Sequence, residues 1–552
     1  MAPSLQLGAQ DARFLYSDTL HANANVTLVH IYDQGTVPGG TLRFKSILRR
    51  IEARIAEQPM LRRKLRRVPL DLDFPYWVDD ASFDFEYHVR HIALPRPGDW
   101  RQFCIQAARI HARPLDLARP LWEIYVVEGL DGLLELPAGS FALLVKIHQA
   151  AIDIEHGSAI TRLLHDLEPA PPPSPPPPPW FPARAPGLAT MLWRGVGHTV
   201  TRSMTLAGPL GRAARRLAPA AKALAGDLLR SPHALPVTRF NAVVSPHRVF
   251  ETRRFALAEF KEIRALVPGA TVNDVVLAVC GGALRGYLAR HDELPARSLS
   301  AMAPFHVRDA QAAPEAPGRL AWARVDLATD RTDAVQRLAH VRAQTASSAL
   351  VARAVGAREL VDAGHHVPAA TLALSAKLLG RATSGIGRRA PLASCTVTNV
   401  PGPREPLYLC GARMSYFSAL MPISDGMGLV FAVTSYDGRV VVSPTSCREL
   451  MPDPQVFAQC VRDSFQELLG AARAAALDPA KHVPERRAPR SRPAPRTTGE
   501  PAAAREPQPA QRPRKKAASA AASLPPVRRG AASAARRRPS PSGKRLPTDP
   551  RA

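Results

Sequence analysis

One stretch decides how this chain can be divided into folding units. Residues 168–182, EPAPPPSPPPPPWFP, are dominated by proline. Proline fixes φ and carries no amide hydrogen, so such a run cannot continue a helix or lie in a central strand. It reads as an extended spacer between two halves that must each build a core. The chain has 552 residues, of which 46% are apolar, enough for two substantial cores and some non-globular sequence. The divisions that follow are a first domain over 1–168, a Pro-rich linker with a basic helical crossover over 169–237, a second domain over 238–478, and a tail over 479–552.

Charge separates the tail from the rest. The formal net charge is +26. From Lys481 to Ala552 there are 19 Lys and Arg against 4 Asp and Glu, with almost no large apolar residue. That composition is expected to be disordered and to bind polyanions without specificity, through RPRKK (512–516) and RRR (536–538). The remainder is moderately basic, which favours anionic partners such as nucleotide phosphates, CoA or anionic headgroups. Six cysteines, at 104, 280, 395, 410, 447 and 460, form no C-x-x-C pair. With no basic-then-apolar leader in the first 25 residues, they fit a reduced, cytoplasmic chain. No window of 18 apolar residues is present, so membrane contact is expected to be peripheral.

Before the spacer, Val26–Tyr32 reads as a strand. Phe44, Ile47, Leu48, Ile51 and Ile55 recur at helical spacing and stop near Pro59. Phe83, Phe85, Tyr87 and Val89 alternate with Asp84, Glu86 and His88, which predicts a half-exposed strand with His88 facing solvent. Trp100–Arg113 reads as a helix, and 119–130 as a turn entering a buried strand. Phe141–Ile147 is a second buried strand, its antiparallel neighbour, broken only by Lys146. It empties into a polar segment holding His148, Gln149, Asp153, Glu155 and His156, after which Gly157 opens a helix. A His and an Asp at the mouth of a core strand can do acid–base chemistry or can form a satisfied polar turn.

Beyond the spacer, Leu188–Arg230 is rich in Ala, Leu, Arg and Gly. It reads either as a basic amphipathic helix pair on a membrane or as a crossover packed on the second domain. Val249–Leu257 alternates as a strand. Residues 270–291 form a strong helix capped by Thr271. A strand over 298–304, helices within 331–382, and strands over 394–403, 414–423 and 428–447 follow, the last turning at Tyr436-Asp437-Gly438. A final helix runs from Pro454 to about Ala476. No phosphate-binding G-x-x-x-x-G-K-[ST], no G-x-S-x-G and no zinc- or calcium-ligand spacing occurs, so no metal site is expected. GIGRRA (385–390) formally matches a dinucleotide fingerprint but does not follow a strand.

Five blocks stand in order along 10–475: PLWE (120–123) with VVEGL, KIHQAAIDIEHG (146–157), TVNDVVLAV (271–279), VTNVPGP (397–403) and PISDGMGL (422–429). In these the chain resembles the bacterial wax ester synthase/acyl-CoA:diacylglycerol acyltransferase family. The resemblance implies an α/β (α+β) fold of two chloramphenicol-acetyltransferase-like domains with mixed sheets and a tunnel between them. It implies transfer of a fatty acyl group from acyl-CoA to diacylglycerol or a long-chain alcohol, with acyl-CoA as co-substrate and no cofactor. A basic tunnel mouth would suit the CoA phosphates, and a membrane or lipid-inclusion surface would supply the acceptor. Asn273 and Asp274 match the family's Asn-Asp pair near the tunnel and are carried over as substrate-binding residues. For Asp274, a favourable position at a helix N-terminus is the equal alternative.

The same resemblance exposes a departure. The family has K-x-H-H-x-x-x-D-G, with the second His as base and Asp four residues on. Here Asp153 matches the Asp, Gln149 takes the place of the second His, His148 matches the first, and Ile154 replaces the Gly. A carboxamide can position a hydroxyl but cannot take its proton near neutral pH. Three readings stay open. His148, or else His156, has taken over the base role. Alternatively the enzyme is weakened and relies on proximity and oxyanion stabilisation. Or the chain is a non-catalytic acyl-CoA- or lipid-binding homologue.

Overall fold

The computed structural model describes residues 6–132, 136–151, 157–170, 179–198, 201, 235–307, 319–347 and 391–477, with the side chains of 157–159 and 305–321 left aside. Asp153, Ile154, Glu155, His156, most of the 188–230 crossover, GIGRRA and the basic tail fall outside them.

The first half begins with α1 (Ala9–Ser17) and β1 (Asn25–Asp33), followed by α2 (Phe44–Ala56), whose Ile47, Ile51 and Ile55 are buried on one face. A small antiparallel ladder pairs β2 (Arg63–Arg66) with β3 (Tyr76–Asp79). A single helical turn, α3 (Phe85–His88), leads into β4 (Val89–Ala93). Next come α4 (Trp100–Ala112), β5 (Trp122–Leu130), β6 (Ser140–His148) and α5 (Gly157–Leu164). A helix over 188–198, α6, lies beyond the spacer.

The second half contains β7 (Arg248–Phe250), β8 (Arg253–Ala256), α7 (Leu257–Arg264), α8 (Val272–Arg290), β9 (Ser300–Val307), β10 (Arg319–Asp326) and α9 (Ala334–Thr345). It continues with β11 (Cys395–Pro401), β12 (Tyr408–Leu409), β13 (Ala412–Leu420), β14 (Val430–Tyr436), β15 (Arg439–Cys447) and α10 (Pro454–Leu477). Its sheet runs β10-β9-β11-β14-β15-β7, with β8 also on β15, and it is mixed because β11 is parallel to both β9 and β14.

The first sheet runs β12-β13-β1-β6-β5-β4. Two of its six strands therefore come from the second half of the chain. β13 pairs antiparallel with β1, Thr27 opposite Leu420 and His30 opposite Phe417. The same strand reaches the other sheet: Thr434 Oγ1 donates to the Phe417 carbonyl at 2.8 Å, and Ser418 and Ser443 share a hydroxyl bond at 2.9 Å. A boundary at 238 is thus not a clean partition, because Tyr408–Leu420 completes the first sheet while clasping the second. The main apolar core draws on both halves, from Val26 and Ile147 to Val276 and Phe465, and Met1–Pro484 form one compact unit.

Two sequence expectations need correction. The 83–89 alternation is not a strand. Asp84 caps a helical turn, its Oδ1 accepting the amides of Glu86 at 3.0 Å and Tyr87 at 3.3 Å. His88 consequently swings inward, fully buried, with Nδ1 2.6 Å from the Trp122 carbonyl and its ring stacked on that indole at 4.5 Å. The expected strand over 249–257 is instead two short strands, both on β15.

Candidate functional site

Strand β6 carries the site, and its alternation sorts the side chains. Phe141, Leu143, Val145 and Ile147 enter the core shared by the two halves, whereas Ala142 and Leu144 pack with α4. Lys146 and His148 follow the second parity. The Lys146 ammonium is fully buried, donates to the Arg113 carbonyl and lies 3.9 Å from Glu123. Burial lowers its pKa to about 8 against the pull of Glu123. Asn23 and Asn25 donate to the carbonyls of Ala112 and Arg113 at 3.0 and 3.2 Å. Three side chains thus satisfy the last carbonyls of α4, where a cation is also favoured by the helix dipole.

His148 is 1% exposed and closes β6. Its Nδ1 accepts the Ala150 amide at 3.1 Å, and its Nε2 lies 3.0 Å from Asp18 Oδ2. An acceptor at Nδ1 fixes the tautomer: the proton sits on Nε2 and is donated to the carboxylate. Both ring nitrogens are therefore committed within the protein. Gln149 begins the 3-10 turn Gln149–Ala151 and is itself buried, with its amide donating to the Ala24 carbonyl at 2.9 Å. Gln149 therefore lies in the turn just beyond β6, next to the core face that Ile147 closes, where the alternation of the strand no longer sets side-chain direction.

Helix α5 covers that face. Thr161 Oγ1 lies 3.1 Å from His30 Nε2, and the Tyr32 hydroxyl lies 2.5 Å from His165 Nε2, whose Nδ1 donates to the Thr161 carbonyl. Burial drives His30 well below the ordinary histidine value and His165 down to about 4, so both imidazoles are neutral. The sequence reading missed this pair; the signal was a polar residue inside each of two apolar runs, VTLVHIY and ITRLLHDL.

The Asn273-Asp274 pair separates. Asp274 is 1% exposed and closes a capping box: Thr271 Oγ1 accepts its amide at 3.2 Å, and its Oδ2 accepts the Thr271 amide and hydroxyl, each at 2.8 Å. Its Oδ1 takes the Thr345 hydroxyl at 2.7 Å, tying α8 to α9. Asn273 faces a groove of about 650 Å³ together with Lys261, Asn399, Arg404, Tyr436 and Arg439. Pro401 and Gly402 of the VTNVPGP block form its wall. A β-carbon on Gly402 would stand 2.5 Å from the Ser435 carbonyl oxygen, so this close approach requires glycine.

Smaller cavities of about 260 and 360 Å³ adjoin it through Arg439, and both include Arg254. Asp437 is paired with Arg413 at 2.8 Å. Lys261, Arg404 and Arg439 have no ion pair among the described residues. The groove is open to an anion. None of these three cavities is lined by His148 or Gln149. The register relates the two regions: His148 lies opposite Asn25 at one end of β1, and Met414 opposite Tyr32 at the other. Tyr436 donates to the Met414 carbonyl at 3.1 Å. Seven strand residues separate these levels, about 23 Å at 3.3 Å per residue.

The other blocks are scaffolding. Trp122 Nε1 donates to the Leu61 carbonyl at 2.7 Å, and Glu123 accepts the Tyr125 hydroxyl at 2.9 Å. Asp425 accepts the Val244 amide at 3.0 Å and faces His21 at 3.3 Å.

Comparison with known proteins gives the same direction. A model of the wax ester synthase/diacylglycerol acyltransferase catalytic domain matches residues 7–276, and one of the WS/DGAT C-terminal domain matches 319–469. A Mycobacterium tuberculosis protein bearing the provisional name diacylglycerol O-acyltransferase is 30% identical over 482 residues, 84% of this chain and 90% of that one. The O-acyltransferase WSD of Acinetobacter baylyi is 30% identical over 407 residues, 71% and 82% of the two chains. Among solved structures, the wax ester synthase/diacylglycerol acyltransferase of Marinobacter aquaeolei VT8 superposes with a TM-score of 0.59 at 23% identity, covering 85% of this chain and 99% of that one.

Proposed function

Because the chain belongs to the wax ester synthase/diacylglycerol acyltransferase family, we propose that it moves a fatty acyl group from acyl-CoA to the hydroxyl of diacylglycerol or a long-chain alcohol. The observation that carries the reading is the match of both family models, in order, across a fold in which β13 of the second half completes the first sheet. The thioester would be attacked by the lipid hydroxyl beside position 149, its oxyanion held by nearby donors, with CoA leaving as thiolate. Gln149 can accept a hydrogen bond from that hydroxyl and so orient it, while the proton passes, directly or through water, to the departing CoA thiolate, which leaves as the thiol. The reaction needs no metal and no cofactor beyond acyl-CoA itself.

Lys261, Arg404 and Arg439, without an ion pair among the described residues, suit the phosphates of CoA. An extended thioester arm entering there would have to run about 23 Å along the sheet to reach position 149. The acceptor lipid calls for a membrane or lipid-inclusion surface. Helix α6 offers one: Met191 packs on Val68, Tyr76 and Val78, while Trp193 is 81% and Phe181, just before the helix, 84% exposed. Leu188 and Val196 are also open, with Arg184 and Arg194 in the same segment. Exposed Trp with neighbouring Arg is the composition of a helix lying in a headgroup layer. The contacts of 188–198 run to Val68, Asp73, Tyr76 and Val78 of the first half, so this part of the segment does not pack on the second domain as one sequence alternative had it. We place the protein in the cytoplasm, peripherally bound to such a surface, with the basic tail as a non-specific polyanion contact.

A second reading is favoured by one observation: the base position holds a carboxamide and the neighbouring imidazole has no free nitrogen. In it the chain binds acyl-CoA and lipid without turning them over. Purified full-length protein with labelled palmitoyl-CoA and either hexadecanol or diolein separates the two. Wax ester or triacylglycerol above the no-enzyme rate supports transfer; acyl-CoA binding with no ester product supports the second.

A further inference from the structure

We propose that Asp18 is a positioning residue for this site: acting through His148, it locks the turn that carries residue 149. The inference rests on the acyl-transfer reading above for its kinetic consequence, but not for its geometry.

Asp18 follows α1 and precedes β1, far from the 148–153 segment in sequence. Its two oxygens do different jobs. Oδ1 accepts the Ala24 amide at 2.8 Å, and Oδ2 accepts the proton of His148 Nε2 at 3.0 Å. The circuit then closes through the backbone. His148 Nδ1 takes the Ala150 amide, and the Gln149 amide donates to the Ala24 carbonyl at 2.9 Å, the residue that Asp18 itself anchors. The His148 amide donates to the Leu121 carbonyl at 3.0 Å, inside the PLWE block. Three consecutive amides at 148, 149 and 150 are therefore held by three separate partners.

The circuit uses the side chain of 148 and only the backbone of 149. If His148 were the base, its Nε2 would need a free lone pair. The proton would then sit on Nδ1, facing the Ala150 N–H, and two donors would confront each other while Asp18 lost its partner. The anion at 18 thus selects the tautomer that orients the turn and excludes the tautomer that would do chemistry. Asp18 is 20% exposed on its side chain, so the clasp lies at the rim and can be edited without opening a core cavity.

The test has a spectroscopic arm and a kinetic arm, both on the full chain. In ¹⁵N-histidine spectra, with His148 identified by its loss in His148→Gln, the wild type should show a protonated Nε2 and an unprotonated Nδ1. Asp18→Ala should convert this to a tautomer mixture. A wild-type ring protonated on Nδ1 overturns the proposal. For kinetics with palmitoyl-CoA and hexadecanol, Asp18→Ala should lower kcat at least tenfold in both the wild-type and Gln149→His backgrounds, with KM for acyl-CoA within twofold. Asp18→Asn, whose amide oxygen can still accept from Nε2, should recover most of that loss. Unchanged kcat in Asp18→Ala overturns it, as does His148→Ala abolishing turnover that Asp18→Ala leaves intact. If no variant forms ester, the acyl-transfer reading fails while the spectra still decide the role of Asp18.

Discussion

Restoring an imidazole at position 149 is the most direct perturbation of the chemistry. Gln149 is 7% exposed and opens the turn that follows β6. A correctly placed general base contributes about 10²–10⁴-fold. The surroundings argue for the lower end. In the core beside β6, burial lowers His30 well below the ordinary value and His165 to about 4, and a new buried imidazole at 149 would be similarly weakened as a base. We therefore expect Gln149→His to raise kcat by about 10²-fold, equivalent to about 2.7 kcal/mol of transition-state stabilisation. The gain should be flat with pH above about 6.5, where a depressed imidazole is wholly neutral. The assay is ester formation from labelled palmitoyl-CoA and hexadecanol, with acyl-CoA binding measured alongside. Unaltered turnover in a folded variant that binds acyl-CoA normally would refute the assignment of 149 as the base position.

The buried histidines make the fold acid-sensitive. The unfolded chain takes up a proton at His165 near pH 6.5 and the folded chain only near 4, so this contribution is full above 6.5 and lost as pH falls toward 4. The loss is about 3 kcal/mol, read as a fall in urea midpoint between pH 7 and 4.5, and His165→Gln should flatten it; an equally steep fall in the variant rejects the cause. Charge reversal at Lys261 or Arg439 should weaken acyl-CoA binding about tenfold and reduce its salt dependence, measured by titration calorimetry; no change removes the groove as the CoA mouth. Trp193→Ala should weaken sedimentation with anionic vesicles severalfold while leaving solution stability unaltered, since that indole is largely exposed; equal binding excludes α6 as the contact.

What the sequence displayed well was local. Thr271 caps α8 as read, and the structure adds to that cap a reciprocal box with Asp274. Asp437 and Gly438 both take positive φ, 43° and 71°, as a tight hairpin between apolar strands requires. The failures were of two kinds. At 83–89 the alternation matched a strand, but one Asp oxygen taking two amides stabilised a helical turn, and His88, which parity had aimed at solvent, turned inward while Asp84 and Glu86 stayed exposed. At 412–420 the element was legible but its partner was not. β13 is buried on both sides over Tyr416–Leu420, so no polar face marks which sheet it joins. Only pairing across almost the whole chain, Thr27 with Leu420, decides it.

The candidate site shows the same division between what is local and what is not. That His148 and Gln149 differ in role was suggested by the residues alone, since neighbours in an extended chain point to opposite sides, although the structure ends the strand at His148 and turns at Gln149. Which of them is spoken for was not, because the partner that commits His148 is Asp18, 130 positions away. This arrangement also explains how a carboxamide can occupy position 149 without disturbing the turn. The hydrogen-bond circuit uses the imidazole of 148 and the backbone of 149, so folding makes no demand on the side chain at 149. Removing His148 would leave the Ala150 amide and the Asp18 carboxylate without their partner. Changing Gln149 leaves every bond of the circuit in place. Chemistry and architecture are therefore assigned to adjacent residues, and the departure from the family motif falls on the one of the two that the fold does not need.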